Sequence, residues 1–209
     1  MNTSTPGLLH GNAVKRGRQL EYFTIAWNSL EGLIALGAGF VAGSVALVGF
    51  GFDSLIECVS GGALLWRLHH DSNEHRREHA ERAALRIVGV CFLGLALYIA
   101  YESLTSLLTR VAPERSIAGI ILACISLILM PILSEAKRAV AATLGSTAMV
   151  ADAKQAEFCT YLSAILLGGL LLNAILGLWW ADPVAGLIMV PIVGKEGIDA
   201  LRNKTCACH

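Results

Sequence analysis

Charged residues are scarce in this sequence. Asp, Glu, Lys and Arg make up 15% of the 209 residues and hydrophobic types 55%, whereas a soluble domain carries about 25% charged residues and under half apolar ones. The formal net charge is zero, so nothing favours nucleic acid as a partner. The charges are gathered between long apolar runs, as a bilayer requires. The composition therefore indicates an integral membrane protein with little chain left for a soluble domain.

A signal-peptide cleavage pattern and a disulfide framework are also missing. The first apolar run has no cleavage pattern before it, so we expect that run to be retained. Four of the six cysteines lie inside apolar runs, where a free thiol behaves as a small hydrophobe: Cys58, Cys91, Cys124 and Cys159. The other two, Cys206 and Cys208, form with His209 a tail that either captures a thiophilic ion or is accidental.

The apolar runs predict an all-α fold, a polytopic membrane protein with six transmembrane helices. The spans are expected at about Leu20–Ala42, Ser44–Leu68, Leu85–Leu108, Ser116–Ser134, Thr147–Leu172 and Pro183–Leu201. The chain then divides into a cytoplasmic segment 1–19, a membrane domain 20–202 and a cytoplasmic tail 203–209. Consecutive spans are expected to pair as hairpins, the first with the second, the third with the fourth and the fifth with the sixth.

The distribution of Lys and Arg predicts the orientation. Thirteen of the sixteen lie in the N-terminal segment, the 67–86 and 135–146 loops and the C-terminal end, whereas the opposite side holds Arg110 and Arg115. By the positive-inside rule both termini are expected in the cytoplasm, which agrees with an even number of spans. We expect a multi-pass protein of the cell's inner (plasma) membrane, in contact with lipid.

The second span carries two carboxylates where charge is expensive. Asp53 and Glu57 are four residues apart, so they share one helix face. Ionisable residues inside a span mark a pathway or a binding site by default. Two like charges in a low dielectric either share a proton or bind a divalent cation. The pair is suited to both tasks; the alternative is a polar helix junction near the surface.

The fifth span carries a second set of candidate ligands. Asp152, Gln155 and Cys159 recur at helical spacing and share a face. A thiolate beside carboxylates and an amide carbonyl suits a tetrahedral, borderline-soft ion such as Zn²⁺. Packing remains the alternative for Cys159. Lys154 and Glu157 are expected to neutralise each other near the cytoplasmic end.

Further candidate ligands lie in the first span and in the second loop. Glu31, on one face with Asn28, either lines the pathway or bonds to a neighbouring helix. His75 and His79, with Asp71 four residues earlier, can share a metal on a helical turn. A solvated charged loop without a metal is an equally good interpretation of the segment that contains these three residues.

These residues resemble the cation diffusion facilitator (cation efflux) family of divalent metal/proton antiporters. The resemblance rests on four motifs along residues 20–201: Ser44-Val45-Ala46-Leu47 leading to Asp53-x-x-x-Glu57, Ala151-Asp152 followed by Gln155-x-x-x-Cys159, His75-x-x-x-His79 before Glu81, and Asp182-Pro183-x-x-Gly186. It implies a homodimeric efflux transporter with metal bound between helices 2 and 5, protons as coupling ion, and no enzyme activity. The family's ferredoxin-like cytoplasmic domain is not expected, since about eight residues follow Leu201.

The ligand set departs from the family pattern at two positions. Gln155 stands where the family has His, and Cys159 where it has Asp. The substitutions favour thiophilic ions, Zn²⁺ first, with Cd²⁺, Co²⁺ and Mn²⁺ also open. They also move proton coupling to Asp53, Glu57 or the thiol.

Two other functions remain open at this point. The first is a membrane protein that binds or senses metal without transporting it. The second is an intramembrane enzyme with Cys159 as nucleophile; it has little support, because every His lies outside the predicted spans and no base is at hand.

Overall fold

The computed structural model of the chain describes residues 6–69, 74–110 and 113–202, apart from the side chains of 6–10, 67–69, 74–85 and 147–148. The described residues form six α-helices and no strand. The helices are α1 (Pro6–Ala42), α2 (Val45–His69), α3 (Glu74–Thr109), α4 (Ile117–Leu144), α5 (Thr147–Leu176) and α6 (Ala181–Leu201).

The helices confirm the predicted all-α membrane architecture. Five of them, α1 to α5, are long and apolar enough to cross a membrane. Helix α6 is 21 residues long but carries Asp182, Lys195, Glu196 and Asp199, more charge than an apolar span of that length usually has. Leu, Ile and Phe side chains cover much of the outer surface of the bundle, for example Leu33, Leu97 and Ile128. The cytoplasmic placement of the termini stays a prediction.

Three helices extend into segments that the sequence analysis assigned to loops or tails. Helix α1 begins fourteen residues before Leu20, α3 begins eleven residues before Leu85, and α4 ends ten residues after Ser134. The α3 and α4 extensions are rich in Ala, Arg and Glu, which are strong helix formers. Hydropathy detects only the apolar part of such helices, so the predicted loops 67–86 and 135–146 were too long.

The helices pack in an order that differs partly from consecutive hairpins. Helix α1 packs mainly on α2, α4 on α5, and α3 on α6, with α5 also contacting α6. The expected pairing of the third span with the fourth is therefore wrong. Glycines explain the α3–α6 contact, since a Cβ on Gly89 would lie 2.9 Å from the carbonyl oxygen of Gly197. Only a two-residue turn, Gly145-Ser146, separates α4 from α5, so these helices are antiparallel neighbours.

The Asp-Pro pair at the start of α6 fastens that helix to α2. The Asp182 carboxylate accepts a hydrogen bond from the Ser44 hydroxyl and another, 2.9 Å long, from the Val45 backbone N–H. The first N–H groups of a helix have no partner within the helix, so a carboxylate there is stabilising. Asp182 therefore has a structural role at the opposite end of the bundle from the α4–α5 turn.

Close packing of α1 and α2 predicts different effects for two glycines on α2. A Cβ on Gly51 would lie 2.9 Å from the backbone nitrogen of Leu36, whereas a Cβ on Gly62 would have no atom within 4 Å. We expect Gly51→Ala to lower the free energy of unfolding by about 1–3 kcal/mol through overpacking. Gly62→Ala should leave it unchanged or raise it by up to about 1 kcal/mol. Thermal melting in detergent checks both; equal melting temperatures would contradict the α1–α2 contact.

Candidate metal centre

Three metal-ligating side chains converge between α2 and α5. The carboxylates of Asp53 and Glu57 each offer one oxygen that, with the Cys159 sulfur, forms a group whose atoms all lie within 4.8 Å of one another. The spacing of four residues on α2 places both carboxylates on the face that meets α5. All three residues are buried, with exposed fractions of 1%, 6% and 0%. The sequence predicts a metal site between the second and fifth helices, and these are the helices that carry the three side chains; metal binding there stays a prediction.

The Asp53 carboxylate has no hydrogen-bond partner among the residues that the structure describes. Both of its oxygens are buried, and neither contacts a donor in the described part of the chain. Burying a carboxylate without compensation costs several kcal/mol, so buried charges are normally paired or coordinate a metal. The position of Asp53 beside a second carboxylate and a thiol leaves a cation or a proton as the compensating partner.

The Glu57 carboxylate is held from α1. The Asn28 side-chain amide donates a 2.7 Å hydrogen bond to Glu57 Oε2, and both residues are buried. The Asn28 Oδ1 atom is itself buried and has no donor among the described residues. The first helix therefore contributes to the site through a residue that the sequence analysis noted only for its spacing from Glu31.

Glu31 lies beside this cluster and joins three helices. Its carboxylate on α1 accepts a 3.0 Å hydrogen bond from Ser54 on α2 and a second one from Ser126 on α4. It is fully buried. Of the two readings of Glu31, hydrogen bonding to neighbouring helices is what the structure shows, and Glu31 is not among the three convergent ligands.

Gln155 lies one helical turn before Cys159 on α5. Its side-chain Nε2 is buried and has no hydrogen-bond acceptor among the described residues. Because the oxygen and nitrogen of an amide are assigned from their partners, the Gln155 carbonyl is an available ligand after a flip of the amide. Its place in the ligand set stays a prediction.

Asp152 is engaged in a buried ion-pair network that the sequence analysis missed. The Lys137 ammonium on α4 pairs with Asp152 on α5, and lies 3.2 Å from Glu21 Oε1 on α1. Exposure of the Lys137 side chain is only 1%. Lys137 was counted in a cytoplasmic loop, whereas it lies inside α4. No spacing along one helix signals this network, because its three residues come from α1, α4 and α5.

The predicted Lys154–Glu157 pair is replaced by a pair between two helices. Glu157 on α5 is ion-paired with Arg138 on α4, and these side chains are 40% and 50% exposed. Lys154 is exposed and interacts electrostatically with Glu196 on α6. Spacing along α5 suggested Lys154 as the partner of Glu157. The antiparallel packing of α4 on α5 instead places Arg138 within ion-pair distance of Glu157.

The remaining candidate ligands cannot be placed around a metal. His75 and His79 belong to the first turns of α3, but their side chains lie outside the described residues, as do Asp71 and the tail residues Cys206, Cys208 and His209. The four described cysteines, Cys58, Cys91, Cys124 and Cys159, are free.

The donor set of two carboxylates and one thiolate suits a divalent cation of borderline softness. Oxygen and sulfur donors together are typical of Zn²⁺, whereas Mg²⁺ and Ca²⁺ select oxygen alone. Three protein ligands leave at least one tetrahedral position for an amide oxygen, such as that of Gln155, or for water.

Comparison with known proteins points the same way. Residues 22–205 match the family model of the cation efflux transmembrane domain. The chain is 25% identical to transmembrane protein 163 of Xenopus laevis over 197 residues, covering 92% of this chain and 68% of that protein. It is 26% identical to an uncharacterized transporter of Methanocaldococcus jannaschii over 187 residues, 84% of this chain and 64% of that one.

A third relative is the cation-efflux pump FieF of Shewanella oneidensis. It is 25% identical over 150 residues, which cover 70% of this chain and 50% of the pump. The chain thus spans between half and two thirds of the length of its two transporter relatives. The matched part is the membrane domain, which is also where the convergent ligands lie.

Proposed function

The chain belongs to the cation efflux family, and from this premise we propose that it is a divalent metal cation transporter whose ion binds at Asp53, Glu57 and Cys159. Members of this family are transporters rather than enzymes, so Cys159 is a ligand in this proposal and not a nucleophile. The transported ion is of the Zn²⁺ or Cd²⁺ class. Its movement is efflux, coupled to protons in the opposite direction.

One observation carries the proposal. Within the described ranges, neither oxygen of the buried Asp53 carboxylate has a donor, and Glu57 and Cys159 each bring a ligand atom within 4.8 Å of it. Three anionic ligands without a counter-ion are strongly unfavourable inside a membrane protein. A divalent cation or bound protons remove the repulsion, and alternation between the two is what an antiporter needs.

Proton coupling follows from the chemistry of the ligands. Carboxylates and a thiol must lose their protons to bind a metal, so metal binding releases protons and protonation releases metal. The Asn28 amide that donates to Glu57 keeps this carboxylate oriented in either state. With Gln155 in place of an imidazole, Asp53, Glu57 and Cys159 are the groups that exchange protons.

The functional unit in this proposal is a homodimer in the inner (plasma) membrane. The homodimer is what the family resemblance implies, and a bacterial relative named as a cation-efflux pump, of which the chain covers half, is consistent with the plasma membrane. Apolar side chains cover the outer faces of the helices, for example Leu97, Tyr101 and Leu104 on α3. Such faces contact lipid or a second copy of the chain.

Flux measurements in liposomes test transport directly. Purified protein is reconstituted with a metal-sensitive dye inside, and an imposed pH gradient is expected to drive Zn²⁺ or Cd²⁺ uptake into the lumen. Metal binding without flux under either gradient direction would select the non-transporting, metal-sensing function instead. Absence of both binding and flux would contradict the site as well.

The thiol predicts which ions bind best. We expect Cys159→Ser to weaken Cd²⁺ and Zn²⁺ binding by about 10–100-fold and Mn²⁺ binding much less, because thiolate selects the softer ions. Cys124→Ser is the matched control, since Cys124 is a free, exposed thiol on α4. Equilibrium dialysis with each metal checks both variants. Equal losses for Cd²⁺ and Mn²⁺ would contradict a sulfur ligand.

A further inference from the structure

The ion-pair network of Glu21, Lys137 and Asp152, here called the charge triad, lies on the same helix faces as the candidate metal centre. Glu21 precedes Asn28 by seven residues on α1, and Asp152 precedes Cys159 by seven on α5. Seven residues are nearly two full turns, so each pair shares a face at a separation of about 10.5 Å along the helix. The charge triad therefore lies between the centre and the end of the bundle where α4 turns into α5.

The charge triad joins three helices at that level. Lys137 on α4 donates to Glu21 on α1 at 3.3 Å and pairs with Asp152 on α5. Its three residues are buried. Lys137 and Asp152 are also close enough to Glu57 to interact with it electrostatically. A cation that moves along this face from the α4–α5 end meets these charges before it reaches Glu57.

The triad has more acidic than basic groups. Two carboxyl groups face one ammonium, so Lys137 neutralises only one of them and the other takes a proton or a further cation. Buried ion pairs of this kind are poor sources of stability compared with apolar packing. Such a pair can act as a switch between two arrangements when another cation competes for the same carboxylates.

We infer that the Lys137 ammonium closes the route by which a metal ion reaches the candidate metal centre from the end of the bundle where α4 turns into α5. Its ion pairs with Glu21 and Asp152 hold α1, α4 and α5 together, and an arriving metal ion displaces the ammonium from those carboxylates. The inference rests on the proposed transport function. It adds a second set of residues, distinct from Asp53, Glu57 and Cys159, that controls how the ion reaches the centre.

Cys159 provides a reporter of access that requires no metal. The full-length chain is prepared with Cys159 as its sole cysteine, and the rate of its modification by a cationic methanethiosulfonate reagent is measured. Replacing the whole charge triad (Glu21→Gln, Lys137→Met and Asp152→Asn) leaves no uncompensated charge and should raise this rate about tenfold or more, by increasing the open population. The net charge of the variant is no more negative than that of the parent. Stronger electrostatic attraction of the cationic reagent therefore cannot account for a faster rate.

The exposed pair on the same two helices is the matched control. Removing it with Arg138→Gln and Glu157→Gln should leave the rate of Cys159 modification at the parent value. A rate for the charge-triad variant equal to that of this control would overturn the inference. Because no metal is present, that result would leave the proposed transport function standing.

A second variant keeps the inference testable if the triple substitution does not fold. Glu21→Gln alone leaves a balanced pair of Lys137 and Asp152 and removes only the link to α1. It should raise the rate of Cys159 modification severalfold. A parent-like rate in this variant, with a parent-like melting curve, would overturn the inference.

Discussion

Replacing Asp53 with Asn is expected to abolish metal binding and flux while leaving the apo protein at least as stable as the parent. The neutral amide removes a central ligand, and it also removes a buried carboxylate whose two oxygens have no donor in the part of the chain that the structure describes. Removing an unpaired buried charge does not destabilise a protein in the way that breaking a pair does. A single substitution should therefore separate function from folding.

Metal-dependent melting measures both halves of this prediction. In the parent, Zn²⁺ or Cd²⁺ at a hundred times its Kd should stabilise the folded state by about 2.7 kcal/mol. Asp53→Asn should show no metal-dependent shift and an apo melting temperature equal to or above that of the parent. Glu135→Gln, an exposed carboxylate on α4, is the control and should keep the full shift. Retention of the shift in Asp53→Asn would place the metal elsewhere.

Replacing Lys137 with Met is expected to destabilise the protein strongly. Lys137 is 1% exposed and is the counter-ion of both Glu21 and Asp152, so its loss leaves two buried carboxylates facing each other. Removal of one partner from a buried ion pair costs about 3–5 kcal/mol. Poor expression or a lower melting temperature in detergent is the expected result.

The neighbouring residue provides the comparison for this prediction. Arg138 is next to Lys137 in the chain, but it pairs with Glu157 at the surface. The Arg138 side chain is 50% exposed and that of Glu157 is 40% exposed. Exposed pairs contribute about 0–1 kcal/mol, so Arg138→Met should melt within a few degrees of the parent. Combining Lys137→Met with Glu21→Gln and Asp152→Asn should restore most of the stability. Equal melting of Lys137→Met and Arg138→Met would contradict the buried network.

The helices were readable from the sequence, but their ends and partners were not. Six apolar runs in the right order gave six helices because the hydrophobic signal of a membrane helix is strong. The α3 extension from Glu74 and the α4 extension to Leu144 were missed, since their polar residues favour helix through backbone propensity and not through hydropathy. The α3–α6 contact depends on Gly89 and Gly197, whose packing role no spacing reveals.

The candidate ligands were predictable along each helix, and the family resemblance paired the second helix with the fifth, but the supporting contacts from α1 and α4 were not predictable. Spacing on α2 was sufficient to group Asp53 with Glu57, and the resemblance pointed to Cys159. The Asn28 contact with Glu57 and the Lys137 contact with Asp152 join residues from different helices. Whether these side chains meet depends on how each helix is rotated about its axis and shifted along it relative to its neighbours. The sequence of one helix does not determine this arrangement.

The first coordination shell of bound zinc tests the central claim most directly. X-ray absorption at the zinc edge should be measured on protein whose tail cysteines, Cys206 and Cys208, are replaced by Ala. One sulfur at about 2.3 Å and oxygen or nitrogen ligands at about 2.0–2.2 Å are expected. The sulfur should vanish in Cys159→Ser, and an oxygen contribution should weaken in Asp53→Asn. A shell without sulfur in the parent, or one that keeps its sulfur in Cys159→Ser, would contradict a metal centre at Asp53, Glu57 and Cys159.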